Sequence, residues 1–246
     1  MINVVVNGAL GKVGKTVINA VTNEKDMVVL KGLDIEDNLN EFLKNNKADV
    51  VVDFTRPESR MENVKTILSN GAHAVIGTTG FTEDDLKQVA KWCKEYGKNV
   101  IIGPNFAIGT IFQMYFAKIA ARHFDTAEIV EYHHDQKVDF PSGTAVKTAQ
   151  LMAEEREVFN LNTKDKVANI EGARGGDYHG IKIHSIRLPG MVAHQEVIFG
   201  ATGQYLTLRH DVTSRESYMP GVLLSIREVI KRPGLTYGLE SIFGLF

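Results

Sequence analysis

The sequence predicts an α/β fold, a parallel sheet wound on both faces and joined to a second α+β domain, and three observations carry that prediction. Short β-branched runs alternate with charged, periodic stretches through about the first hundred residues, which is the rhythm of βαβ units. Runs such as Val50-Val51-Val52 are apolar throughout, as strands must be when helices cover both faces of a parallel sheet. After Phe106 the rhythm changes to apolar helical segments and then to strands joined by short Gly-containing connections, which indicates a separate antiparallel or mixed sheet.

Taken in order, residues 2–6, 27–33, 50–54, 74–76 and 100–102 read as strands of the first domain, with a helix over 15–21 and right-handed crossovers throughout. An apolar helix is expected over 108–121, a strand over 127–132 and a helix over 144–158. The stretch 160–180 is polar and rich in Gly, and strands over 181–188, 193–199 and 205–212 follow it. A last helix over 216–231 is expected to return to the first domain. The predicted division is therefore 1–106 plus 215–246 for one domain and 107–214 for the other.

The 246 residues are 43% hydrophobic, enough to bury a real core, and the formal charge of -2 gives no long-range field. Neither nucleic acid nor an anionic membrane is an expected partner. Cys93 is the sole cysteine, which excludes an intramolecular disulfide and any multi-cysteine metal site; no metal is expected. The first apolar run is too short for a signal-peptide core or a membrane span, so a cytosolic location is expected.

Directly after the first strand stands Asn7-Gly8-Ala9-Leu10-Gly11-Lys12-Val13-Gly14, leading into a helix. Small residues let the backbone turn tightly and approach a pyrophosphate, while the helix presents free N–H groups and the positive end of its dipole. Gly8, Ala9, Leu10, Gly11, Lys12 and Val13 are thus candidate cofactor contacts in a Rossmann-type domain. Ala9 departs from the usual glycine spacing, and a tight strand-to-helix turn is the competing reading. Asp34 tips the balance, because it ends the second strand about twenty residues on, where a carboxylate accepts hydrogen bonds from ribose hydroxyls. Such a carboxylate repels a 2′-phosphate, and Ile35 beside it offers no cation, so NADH is expected to serve at least as well as NADPH. Gly77-Thr78-Thr79 and Gly103-Pro104-Asn105-Phe106 also follow strands, at the sheet edge where α/β ligands bind. They are candidates for the nicotinamide end, or simply good turn formers.

The densest chemistry lies in Glu131-Tyr132-His133-His134-Asp135-Gln136-Lys137-Val138-Asp139-Phe140-Pro141-Ser142-Gly143-Thr144-Ala145. Ser142-Gly143-Thr144 reads as a helix start with amides ready for a carboxylate. The histidine pair and Lys137 supply positive charge and an exchangeable proton near neutral pH. An anionic substrate that demands a proton is implied.

This segment resembles the signature of the dihydrodipicolinate reductases, and Asp53-Phe54-Thr55, Gly77-Thr78-Thr79-Gly80-Phe81, Pro104-Asn105-Phe106 and Gly234-Leu235-Thr236-Tyr237-Gly238 agree with it in order. The resemblance implies NADH- or NADPH-dependent reduction of hydroxy-tetrahydrodipicolinate, a small dicarboxylate, and a homotetramer joined through the second domain. It implies His133 as proton donor with Lys137 as a substrate-binding cation or the donor itself, His134 as a substrate contact, and Ser142, Gly143 and Thr144 as carboxylate binders. Lys12 and Ile35 depart from the family pattern and bear on cofactor choice. Arg187, His194 and Arg215 read equally as structural hydrogen-bonding residues. The rival readings are another nicotinamide oxidoreductase, for instance one acting on an amino-acid semialdehyde, and a nucleotide sensor without turnover.

Overall fold

In the computed structural model, which describes residues 1–161 and 168–245, the chain divides into two compact units, Met1–Ile108 with Arg215–Phe246 and Gly109–Ser214. The first unit carries β1 (Ile2–Asn7), β2 (Met27–Leu33), β3 (Val50–Asp53), β4 (His73–Ile76), β5 (Val100–Ile102) and β11 (Leu235–Tyr237). These strands are all parallel, in the order β11-β5-β4-β3-β1-β2. Strand order reverses beside β1, and the turns that follow β1 and β3 therefore flank the switch point where open α/β sheets bind ligands.

Alternation along each strand divides the core into two layers. Val5, Val51, Ile76 and Ile102 pack with Leu43, Val64, Ile67, Val89 and Cys93 from α2 (Leu39–Asn45), α3 (Arg60–Ser69) and α4 (Glu83–Tyr96). Val4, Val6, Val50 and Val52 point the other way and are equally buried, on the side of α1 (Lys12–Thr22) and α7 (Met219–Val229). Local signals fix the helix ends. Thr82 and Asp85 cap each other at the start of α4, and Gly97, in the left-handed region at φ 62°, stops it.

The second unit holds β6 (Thr126–His133), β7 (Gly176–Tyr178), β8 (Ile181–Arg187), β9 (Ala193–Ala201) and β10 (Gln204–Val212), in the order β10-β9-β6-β8-β7. The sheet is mixed: β6 runs parallel to β8, and the other pairs are antiparallel. One face is covered by α5 (Ile108–Ala121) and α6 (Gly143–Glu155), whose Ala117, Ala121, Ala149 and Met152 meet Ile129, Ile183, Val197 and Phe199.

Several boundaries differ from the sequence reading. Helix α1 starts at Lys12, which places Lys12 and Val13 in its first turn. Helix α6 stops at Glu155, since Arg156 turns extended and Phe159 is drawn into the core, its N–H bonded to the His179 carbonyl. The segment 216–231 opens as a 3-10 turn at Arg215–Tyr218 before α7. Two short strands were not expected: β7, inside the polar stretch 160–180, and β11. Residues 162–167 of that polar stretch lie outside the described residues. No helix among the described residues is long and apolar enough to cross a membrane.

Candidate active site

In the first unit, a cleft of about 920 Å³ opens at the switch point, lined among others by Gly8, Gly11, Asp34, Phe54, Thr55 and Arg56. Gly8 has φ 84°, and a Cβ there would lie 2.6 Å from the Phe54 carbonyl oxygen. A Cβ on Gly14 would lie 2.1 Å from the Gly8 carbonyl oxygen, so only glycine lets α1 come this close to the turn. Both amides of Gly8 and Ala9 donate to the Leu33 carbonyl, which ties the turn to the end of β2. The first turn of α1 has neither a side-chain cap nor an acidic residue, and among the described residues the amides of Lys12, Val13 and Gly14 have no protein acceptor. Such a helix start favours an anion.

Asp34 sits at the cleft edge. One carboxylate oxygen accepts the Leu10 amide at 2.7 Å and the other the Ile35 amide at 2.9 Å. These bonds, with the nearby Arg56 charge, hold its carboxyl below the usual carboxylate range. Each oxygen keeps lone-pair capacity for a further donor.

The later turns join this region through Phe54. Its ring occupies the space beside Gly77, where a Cβ would meet it at 2.0 Å, and it packs on Phe106 at 5.6 Å between centroids. Phe106 in turn covers Gly103. Thr78 is buried, Thr79 and Pro104 are exposed, and Asn105 accepts the Ala107 amide. Beneath these turns lies Asp53, fully buried. Its carboxylate accepts from Asn7 Nδ2 and Asn63 Nδ2 at 2.8 Å, from Thr55 Oγ1 at 2.8 Å and N at 3.2 Å, and from Thr78 Oγ1 at 2.9 Å.

The second unit gathers the other predicted residues around a carboxylate that sequence reasoning missed. Glu131 falls in the inward phase of β6 with Ala127 and Ile129, and its side chain is 0% exposed. It meets His133 Nδ1 at 2.5 Å, Arg187 Nη1 and Nη2 at 2.9 and 2.8 Å, and the Ser142 amide at 3.2 Å. Arg187, set aside in the sequence, pairs with His133 across the β6–β8 ladder. It also donates to the Asp139 carbonyl at 2.8 Å, and the Asp139 carboxylate holds Lys137 Nζ at 2.6 Å. His133, Lys137 and Ser142 thus belong to one connected network.

Ser142 is largely committed within the protein: its N–H goes to Glu131, and its Oγ caps α6 by accepting from the Ala145 amide at 3.2 Å. The amides of Gly143 and Thr144 remain without a protein acceptor among the described residues. His134 is exposed. His194 lies one residue out of phase, opposite Tyr132, and bonds to Asp211 at 2.8 Å rather than to this network.

Burial alone raises the carboxyl pKa of Glu131, but the bonds from His133, Arg187 and Ser185 outweigh it and bring it down to about 2, from 4.5 when free. A depressed carboxyl pKa adds stability above the unfolded value that is lost as pH falls through the folded one. Glu131 is therefore expected to contribute roughly 3 kcal/mol above its unfolded pKa, lost between pH 4.5 and about 2. The stability difference between wild type and Glu131→Gln, followed by urea unfolding over that range, should shrink accordingly; a flat difference would contradict it.

Comparison with known proteins matches residues 2–106 to the family described as "Dihydrodipicolinate reductase, N-terminus" and residues 109–243 to "Dihydrodipicolinate reductase, C-terminus". The 4-hydroxy-tetrahydrodipicolinate reductases of Mycolicibacterium gilvum and Mycolicibacterium smegmatis are each 48% identical over 97% of both chains. The dipicolinate-bound dihydrodipicolinate reductase from Paenisporosarcina sp. TG-14 superposes with a TM-score of 0.91 at 41% identity, over 98% of this chain and 99% of that one. With both halves matched and close relatives aligned almost end to end, this chain belongs to the dihydrodipicolinate reductase family.

Proposed function

We propose that the chain reduces 4-hydroxy-tetrahydrodipicolinate to tetrahydrodipicolinate with loss of water, using a nicotinamide cofactor, as a step of the diaminopimelate route to lysine. The observation that carries this reading is the network around Glu131, which joins an imidazole, an ammonium group and a helix start with free amides. A dicarboxylate that must also be protonated needs all three.

The first unit fits a dinucleotide. Gly8 and Gly11 line the cleft where a pyrophosphate would lie beside the turn, and the amides of Lys12, Val13 and Gly14 suit its charge. Gly8, Ala9, Leu10, Gly11, Lys12 and Val13 would hold the phosphates by backbone and by the Lys12 charge. Asp34 would hold the ribose, and Gly77, Thr78, Thr79, Gly103, Pro104, Asn105 and Phe106 the nicotinamide end. When bound, the nicotinamide supplies a hydride.

The chain's own residues do the rest. Lys137, His134 and the amides of Gly143 and Thr144 bind the carboxylates, with the Ser142 hydroxyl proton as a further donor. His133 delivers the proton that the reduced substrate requires, with Lys137 as the alternative donor. Lys137 exchanges Asp139 for the substrate as it binds.

NADH is expected to serve at least as well as NADPH, because the Asp34 carboxylate is ionised and each oxygen retains capacity for a ribose hydroxyl. Arg56 lines the same cleft and tempers the repulsion of a 2′-phosphate. Removing bonds to a charged acceptor costs about 1.5–3 kcal/mol, so Asp34→Ala should raise KM for NADH at least about tenfold and KM for NADPH less. Equal losses for both cofactors would remove Asp34 from the selection.

The test of the whole reading is oxidation of NADH and NADPH with substrate made in situ by a coupled synthase. Substrate-dependent loss of the reduced chromophore is the expected result. Cofactor binding without oxidation would instead favour a nucleotide sensor. A homotetramer is proposed on the same family basis, with the exposed sheet of the second unit, where Tyr205 is 79% exposed, as its contact face; light scattering tests it.

A further inference from the structure

We propose that Glu131 is a positioning residue: its single buried carboxylate fixes both the imidazole of His133 and the amide start of α6. It thereby sets the proton-delivering nitrogen and the anion cradle in one frame. The inference rests on the reading of His133 as the proton donor.

An ionised carboxylate has no proton to share. The hydrogen between Glu131 and His133, 2.5 Å apart, therefore belongs to Nδ1. The neutral ring then carries its lone pair on Nε2, which has no protein partner among the described residues. Nε2 is thereby assigned as the nitrogen that takes up and gives out the proton. The other Glu131 oxygen accepts the Ser142 amide at 3.2 Å, one residue before the free amides of Gly143 and Thr144. Arg187 occupies both oxygens from the facing strand at 2.8 and 2.9 Å, so neither is free to turn to another donor. Period-two alternation puts Glu131 and His133 on one face of β6, and the ladder to β8 brings Arg187 alongside.

A buried ion pair that merely holds the sheet together would show the same contacts, so the test needs readouts that a structural role does not move. Glu131→Gln keeps volume but sets an amide N–H₂ against one of the donors. Glu131→Asp keeps the charge but withdraws it by one methylene. Both variants, with His133→Gln alongside, are compared by ¹⁵N NMR of the imidazole nitrogens and by steady-state kinetics. Wild type should show His133 with hydrogen on Nδ1. In both Glu131 variants that tautomer should give way to a mixture. Their kcat should fall on the order of 10- to 100-fold, KM for the dicarboxylate should rise several-fold, and NADH affinity should stay as in wild type. If His133→Gln loses activity while folded Glu131→Gln and Glu131→Asp keep wild-type kcat and the Nδ1 tautomer, the inference is overturned and Glu131 is a structural ion pair. Native kcat in His133→Gln would instead overturn the donor assignment on which it rests.

Discussion

His133→Gln is expected to lower kcat by about 10²- to 10⁴-fold, the usual worth of a positioned general acid, while leaving the dissociation constant for NADH within about twofold. Glutamine fills much of the imidazole's space and still donates through its amide, but it cannot release a proton at neutral pH. The network explains why the loss should appear in kcat: His133 is held by Glu131, and the candidate carboxylate contacts at Lys137, Gly143 and Thr144 survive the substitution. Lys137→Ala is the companion variant, and it should act mainly on KM for the dicarboxylate. Single-turnover kinetics with each variant decides between the two donors. A near-native chemical step in His133→Gln with a collapsed one in Lys137→Ala would move the donor role to Lys137.

The second large effect concerns stability. Asp53→Ala should cost about 3–5 kcal/mol, a sizeable part of the 5–15 kcal/mol that holds a typical domain folded. The carboxylate is wholly buried and receives five donors from Asn7, Thr55, Asn63 and Thr78. Its removal orphans groups that knit the ends of β1 and β3 to α3 and the Gly77–Thr78 turn. Urea unfolding should show a lower midpoint at unchanged slope. A cost below about 1 kcal/mol would mean that water replaces the carboxylate, since an unsatisfied buried donor costs 1–3 kcal/mol.

Much of the fold is legible in the chain because parallel strands buried on both faces must be apolar throughout, as in Val50-Val51-Val52. The short strands were not. Leu235–Tyr237 is three residues long, and its pairing depends on the backbone of β5, which no local pattern announces. Gly176–Tyr178 sits among glycines and is recruited only by β8. At the candidate site, His133, Lys137 and Ser142 stand out in the sequence because their residue types are chemically distinctive and close together. Glu131 was hidden in plain view: a carboxylate in phase with Ala127 and Ile129 has to face the core, and a core carboxylate requires partners. Arg187 lies 56 residues away from Glu131 in the chain, and only the parallel register of β6 and β8 brings the two together.

The division of the chain has a consequence for its biosynthesis. The unit of Gly109–Ser214 is one unbroken stretch, so all of it has been synthesised before α7 and β11 are. The six-stranded sheet must wait with the flank of β5 unpaired and Val52, Val75 and Ile101 short of the helix that covers their side of the sheet. A chain truncated just past residue 214 and released should therefore carry a protease-resistant second unit after a protease-sensitive first one, and the exposed edge of β5 is where such a chain would seek help from a chaperone.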